Sequence, residues 1–115
     1  MENDVVEVKD INDWTLVRFT EKSLNERYAP AVEQQLNHLI EPQDRRKLFL
    51  DFTNVTFFAS RGVVLLLSIR KKLESMGGQL ILANLSPSVL DVFQTLRLDK
   101  VFDIRQHVNP ESELT

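Results

Sequence analysis

Two short, nearly continuous apolar segments, Leu48-Phe49-Leu50-Asp51-Phe52 and Gln79-Leu80-Ile81-Leu82-Ala83, set the frame of this chain. Runs of this length and apolarity read as inner strands covered on at least one face. Between them the pattern is helical from Ser60 to about Met76 and stops at Gly77-Gly78, the residue type that tolerates left-handed backbone. Inner strands that alternate with helices restrict the fold to the α/β class.

The flanks extend the pattern. Val5-Val6-Glu7-Val8 and Trp14-Thr15-Leu16-Val17-Arg18-Phe19 read as two strands of a hairpin around a turn at 10–13. Residues 20–24 are mostly polar. Asn25 is the expected cap of a first helix ending near Ile40, with Pro30 near its start and Val32, Leu36, Leu39 and Ile40 facing inward. Residues 53–59 form a connection that is unusually hydrophobic, carrying Val55, Phe57 and Phe58. Ser86-Pro87 opens a third helix whose core stripe is Val89, Leu90, Phe93 and Leu96. Val101-Phe102-Asp103-Ile104 is a short last strand. Residues 105–115 read as a C-terminal tail, although Asn109-Pro110-Glu111 has the form of a helix start. The expectation is one domain over 1–115 with its core at about 5–104. It is an α/β fold, a mixed sheet of about five strands with three to four helices packed on it.

Composition removes several functions. The 115 residues include no cysteine, which excludes disulfides, thiolate zinc sites and thiol catalysis. The net charge is −3, and the basic clusters Arg45-Arg46-Lys47 and Arg70-Lys71-Lys72 are short, so no direct nucleic-acid partner is expected. The longest apolar run, 63–67, is too short to insert in a membrane. The start Met1-Glu2-Asn3-Asp4 is acidic and lacks the features of a signal peptide, so a cytoplasmic protein is expected.

No constellation points to catalysis. Ser60 stands at a strand–loop–helix junction, but its context Phe58-Ala59-Ser60-Arg61-Gly62 is not the glycine-flanked elbow of hydrolases. His38 and His107 are isolated and lack ligand spacing. No phosphate-binding glycine pattern occurs. The chain is therefore expected to be no enzyme and to need no metal and no cofactor. Asp51 either points into a cleft or accepts hydrogen bonds from the loop that follows it.

The second helix is apolar nearly all round its first half. Leu66, Ile69, Leu73 and Met76 share a face with Gly62, flanked by Leu65, and this face packs on the sheet. Val64 and Leu67 point elsewhere and Val63 lies at the edge. Either a neighbouring helix covers them, or they form an exposed patch for a partner that Phe58 extends.

The run from Leu48 through Asp51-Phe52-Thr53 and Phe57-Phe58 to Ala59-Ser60-Arg61-Gly62 resembles the signature of STAS domains, the anti-sigma-factor antagonist family. Ala29-Pro30, Gly77-Gly78 before Leu80-Ile81-Leu82, and Leu98-Asp99-Lys100-Val101-Phe102 are similar to further landmarks of that family, in the same order. Ala59 and Arg61 depart from it, standing where Asp and a small residue or Ser are usual. The resemblance implies a non-enzymatic regulatory module that binds an anti-sigma factor, itself a serine kinase, with a phosphatase as a further partner. It implies that Ser60 is the phosphorylated residue. The expected partner-binding residues around it are Asn25, Phe58, Ala59, Ser60, Arg61, Val63, Val64 and Leu67. The alternative within the same resemblance is a STAS subunit docking on the ATPase of an ABC-type membrane transport assembly.

Overall fold

The computed structural model describes residues 5–115, so the acidic start Met1-Glu2-Asn3-Asp4 lies outside the described residues. The first hairpin pairs β1 (Val6–Ile11) with β2 (Trp14–Phe19) through a turn at Asn12-Asp13. Asn12 takes the left-handed backbone, φ 56°, which an Asn side chain tolerates better than most. After the two-residue β3 (Ser23–Leu24) come α1 (Ala29–Ile40), β4 (Lys47–Asp51), the two-residue β5 (Phe57–Phe58) and α2 (Ser60–Ser75). Then follow β6 (Gln79–Ala83), α3 (Pro87–Thr95), a 3₁₀ turn at Leu98–Lys100, β7 (Asp103–Arg105) and α4 (Pro110–Leu114).

The main sheet runs β1-β2-β4-β6-β7, with β1 antiparallel and the other three pairings parallel. This is the mixed α/β sheet expected from the alternating pattern, with residues 48–52 and 79–83 as neighbouring inner strands. Side chains alternate between faces along a strand. Val17, Leu48, Leu50 and Leu82 therefore join α1, α2 and α3 in the larger core, while Leu16, Phe49, Ile81 and Ala83 form a second cluster on the opposite face.

Local chemistry explains the helix ends. Ser86 caps α3 by accepting the Val89 N–H, with Pro87 in the first turn. At the end of α2, Gly77 sits at φ +72° and the Gly78 N–H reaches back to the Leu73 carbonyl at 2.7 Å. A Cβ on Gly78 would lie 2.3 Å from the Arg46 carbonyl oxygen, so the chain enters β6 beside the start of β4 through a gap only glycine fits.

Two expectations change. Asn25 does not cap α1, which begins four residues later with Tyr28 as its cap residue; the Asn25 carboxamide instead accepts the Arg27 N–H in a turn. Leu96 is exposed, because α3 ends there and the chain reverses through Arg97 at φ 60°. The C-terminal tail at 105–115 carries structure of its own, with a helix where Asn109-Pro110-Glu111 suggests one. Arg105 closes β7, and α4 docks on the second sheet face, capped by Asn109 and burying Leu114 against Ile11, Leu16 and Phe49. No helix among the described residues is long and apolar enough to cross a membrane.

Candidate functional site

Ser60 is positioned by an aromatic stack. Phe19, Phe52, Phe58, Phe93 and Phe102 follow one another with ring centroids 4.8, 6.2, 5.4 and 5.6 Å apart, running from β2 through β5 and α3 to the segment before β7. Such tilted and edge-on pairs hold geometry as well as burying area. Phe58 is the middle member and is only 7% exposed. Its backbone pairs with Leu24 in the small sheet of β3 and β5, and the Ala59 N–H donates to the Leu24 carbonyl at 3.3 Å. Asn25, next along the chain, is thereby brought beside the start of α2.

Because Phe58 points inward, its strand neighbour Phe57 points outward and is 57% exposed. The exposed aromatic beside the stripe is therefore Phe57, not the Phe58 expected to extend it. The deciding contact is with β3, two residues long and without any alternation of its own to read.

Gly62 sets how closely α2 approaches this floor. A Cβ there would lie 2.8 Å from Phe58 Cε1 and 3.0 Å from the Leu24 carbonyl oxygen. Ala59, extended at φ −102° and ψ 169°, is the cap residue, and Ser60 is the first helical residue. No side chain caps α2, and Ser60 is exposed. The first turn carries no acidic residue.

At ~100° per residue, Ser60, Val64, Leu67 and Lys71 fall on one face of α2, opposite Gly62, Leu65, Leu66, Ile69 and Leu73. Val64 is 56% exposed and Leu67 38%, so no neighbouring element covers this stripe. Val63, expected at the edge of the patch, is buried instead. It shares a helix face with Arg70, which donates to the Val101 carbonyl and stacks on the Phe102 ring. On the α1 side, Arg61 pairs with Glu33 at 3.6 Å and Lys72 with Glu41 at 3.3 Å. The structure thus gathers Asn25, Ala59, Ser60, Arg61, Val64 and Leu67 around the start and outer face of α2, and places Phe58 and Val63 beneath it.

Asp51, the one buried carboxylate among the described residues, is structural. Its Oδ1 accepts the Thr53 N–H, the Thr53 hydroxyl and the Asn84 amide, and its Oδ2 accepts Arg18 Nε at 2.9 Å. Arg18 also donates to Glu111 on α4 at 2.9 Å. That bond holds the Glu111 carboxyl below the ordinary carboxylate range, and the two acids together raise the Arg18 guanidinium. His38 and His107 lie on different elements, and no group of acids and histidines among the described residues is arranged to hold a metal.

The family model for the STAS domain matches residues 5–110. BtrV of Bordetella bronchiseptica, named as an anti-sigma factor antagonist, is 26% identical over 92 residues, covering 80% of this chain and 78% of BtrV. Among solved structures, an anti-sigma-factor antagonist (STAS) domain protein from Planctomyces limnophilus superposes with a TM-score of 0.81 at 23% identity over 93% of each chain. The Bacillus cell fate determinant SpoIIAA in its phosphorylated form gives a TM-score of 0.74 at 21% identity, over 94% of this chain and 96% of that one. These structural likenesses establish a shared fold.

Proposed function

Because the chain belongs to the STAS domain family, we propose that it is a non-enzymatic partner-switching module, an anti-sigma factor antagonist controlled by phosphorylation of Ser60. The observation that carries this reading is the alignment of the exposed Ser60 with the uncovered apolar residues Val64 and Leu67 on one face of α2. Val64, Leu67 and the adjacent Phe57 supply apolar contact area for an anti-sigma factor that is also a serine kinase. Asn25, Ala59 and Arg61 form the polar rim.

The switch needs no refolding. A phosphoserine adds about −1.5 to −2 charges, which a helix N-terminus tolerates through its amides and dipole. The same charges oppose burial of the stripe against a partner, so phosphorylation weakens docking and frees the anti-sigma factor, and a phosphatase restores it. Val64 is one turn from Ser60, so a dianion at Ser60 lies inside the docking area rather than at its margin. Arg61 is engaged by Glu33, which leaves the added charge to act on the partner. On this reading the protein works in the cytoplasm, where sigma factors act.

The test is incubation with the cognate anti-sigma serine kinase and Mg-ATP, followed by phosphosite mapping by tandem mass spectrometry. The expected result is one phosphate on Ser60 and none on Ser60→Ala. Phosphate on another residue, or none in the wild type, removes the switch.

A further inference from the structure

β1 is an open edge: β2 pairs with one side of it, and no strand among the described residues pairs with the other. We propose that this edge is a self-complementary interface through which a second copy of the chain adds its own β1, antiparallel, about a two-fold axis at Val8.

The backbone phase comes from the hairpin. The Thr20 N–H donates to the Val5 carbonyl at 3.1 Å, so Val5 belongs to a hydrogen-bonded pair with β2. Such pairs alternate in an antiparallel ladder. Glu7, Lys9 and Ile11 therefore also turn their backbone groups toward β2, in register with Arg18, Leu16 and Trp14. Val6, Val8 and Asp10 turn theirs outward. A two-fold axis at Val8 makes Val8 a hydrogen-bonded pair with its own copy and matches Val6 to Asp10 on each side.

The side chains select that register. With the axis at Val8, Glu7 stands opposite the second copy's Lys9, and Lys9 opposite its Glu7. Both pairs fall at the closer, non-hydrogen-bonded positions, where cross-strand ion pairs interact best. An axis at Glu7, Lys9 or Asp10 would set two like charges face to face. Charged residues on an open edge guard against indiscriminate pairing; here the axis at Val8 is the one that sets Glu7 against Lys9. Glu7 and Lys9 are exposed, and the carboxylate of Glu111, 4.0 Å from Lys9, is already held by Arg18.

The other side of the strand agrees. Val8 is 44% exposed and lines an open groove with Val6, Gln34, Gln35, His38 and Leu39, between the β1 edge and α1. In the pair, the two Val8 side chains meet at the axis and cover each other in that groove. Edge pairing buries less than a standard interface, which makes this a weak, concentration-dependent dimer.

Sedimentation velocity from about 10 μM to 1 mM, the range that spans a weak interface, tests the proposal without any other protein. The wild type is expected to shift from monomer to dimer. Glu7→Lys and Lys9→Glu each replace both attractive pairs by repulsive ones and raise the dissociation constant at least tenfold. The double variant Glu7→Lys/Lys9→Glu regains the dimer, and an equimolar mixture of the two single variants forms the heterodimer. All these positions are exposed, and circular dichroism checks that the fold is kept. Val64→Asp, on the outer face of α2, leaves the dimer unchanged. A wild type that stays monomeric to 1 mM, single variants that dimerise like the wild type, or a double variant that stays monomeric overturns the proposal.

Discussion

Gly62 is where the helix that carries Ser60 rests on its support, and Gly62→Ala measures how tight that contact is. A methyl group in the first turn of a helix normally helps, since alanine is favoured over glycine by up to about 1 kcal/mol. Here the added Cβ meets Phe58 Cε1 at 2.8 Å, Phe58 Cζ at 3.1 Å and the Leu24 carbonyl oxygen at 3.0 Å. The nearest contact is about 0.7 Å short of the ~3.5 Å at which carbon atoms normally rest. Neither neighbour can give way easily. The Phe58 ring is held between Phe52 and Phe93, and the Leu24 oxygen is backbone that already accepts the Ala59 N–H. Overpacking costs about 1–3 kcal/mol, and with two neighbours that cannot move this contact falls at about 2–3 kcal/mol, more than the propensity gain. The expected net loss is about 1–2 kcal/mol, a fall in Tm of roughly 4–10 °C for a domain of this size. Differential scanning calorimetry measures it, and NMR should show the amides of Ala59, Ser60 and Arg61 shifting most as the start of α2 lifts. An unchanged or raised Tm would refute the reasoning, because it would mean that the helix and the Phe58 floor do not touch as described.

Two other outcomes follow from the packing and the charges. Leu50→Ala, in the fully buried middle of β4, should lower stability by about 2–5 kcal/mol in urea denaturation, through lost burial and an unfilled cavity. The Glu111 carboxyl is held low by Arg18, so its stabilisation of the α4 contact is complete above the ordinary carboxylate pKa of about 4.3 and is lost as pH falls through the depressed folded value. Being half-exposed, the pair contributes only about 0.2–1 kcal/mol. The protection factor of the Leu114 amide, in which the intrinsic pH dependence of exchange is divided out, should therefore fall on acidification in the wild type and lose that dependence in Glu111→Gln.

What the sequence discloses is the chemistry that acts within a few residues. The Gly77-Gly78 stop, the Ser86-Pro87 start and the two inner strands are each carried by neighbouring residues and survive in the structure. The errors lie where a distant segment decides. Asn25 has the right chemistry for a cap, but its oxygen is taken by Arg27 two residues on, and α1 starts only after Tyr28. Phe57 and Phe58 are alike in sequence, and only pairing with Ser23-Leu24 decides which of them is buried. The docking of α4 joins Leu114 to Ile11, Leu16 and Phe49, and Glu111 to Arg18 93 positions away, relations no local pattern encodes. At the site, helical phase alone identified Val64 and Leu67 as facing away from the sheet. Val63 is buried although it lies at the edge of the sheet-facing stripe, on the helix face from which Arg70 reaches the Val101-Phe102 segment, a distant partner that helical phase does not reveal.

The central claim is that the α2 stripe is the docking surface and that negative charge at Ser60 turns it off. Isothermal titration calorimetry against the cognate anti-sigma serine kinase tests it most directly, comparing the wild type with Ser60→Ala, Ser60→Asp and Val64→Asp. Each change lies on an exposed side chain and should alter folding stability by under about 0.5 kcal/mol, which thermal melting checks independently. The account predicts that Ser60→Ala binds like the wild type, while Ser60→Asp and Val64→Asp each weaken binding at least tenfold, by bringing charge into an apolar contact. Equal affinity for all four proteins would contradict it, because the partner would then be docking somewhere other than the outer face of α2.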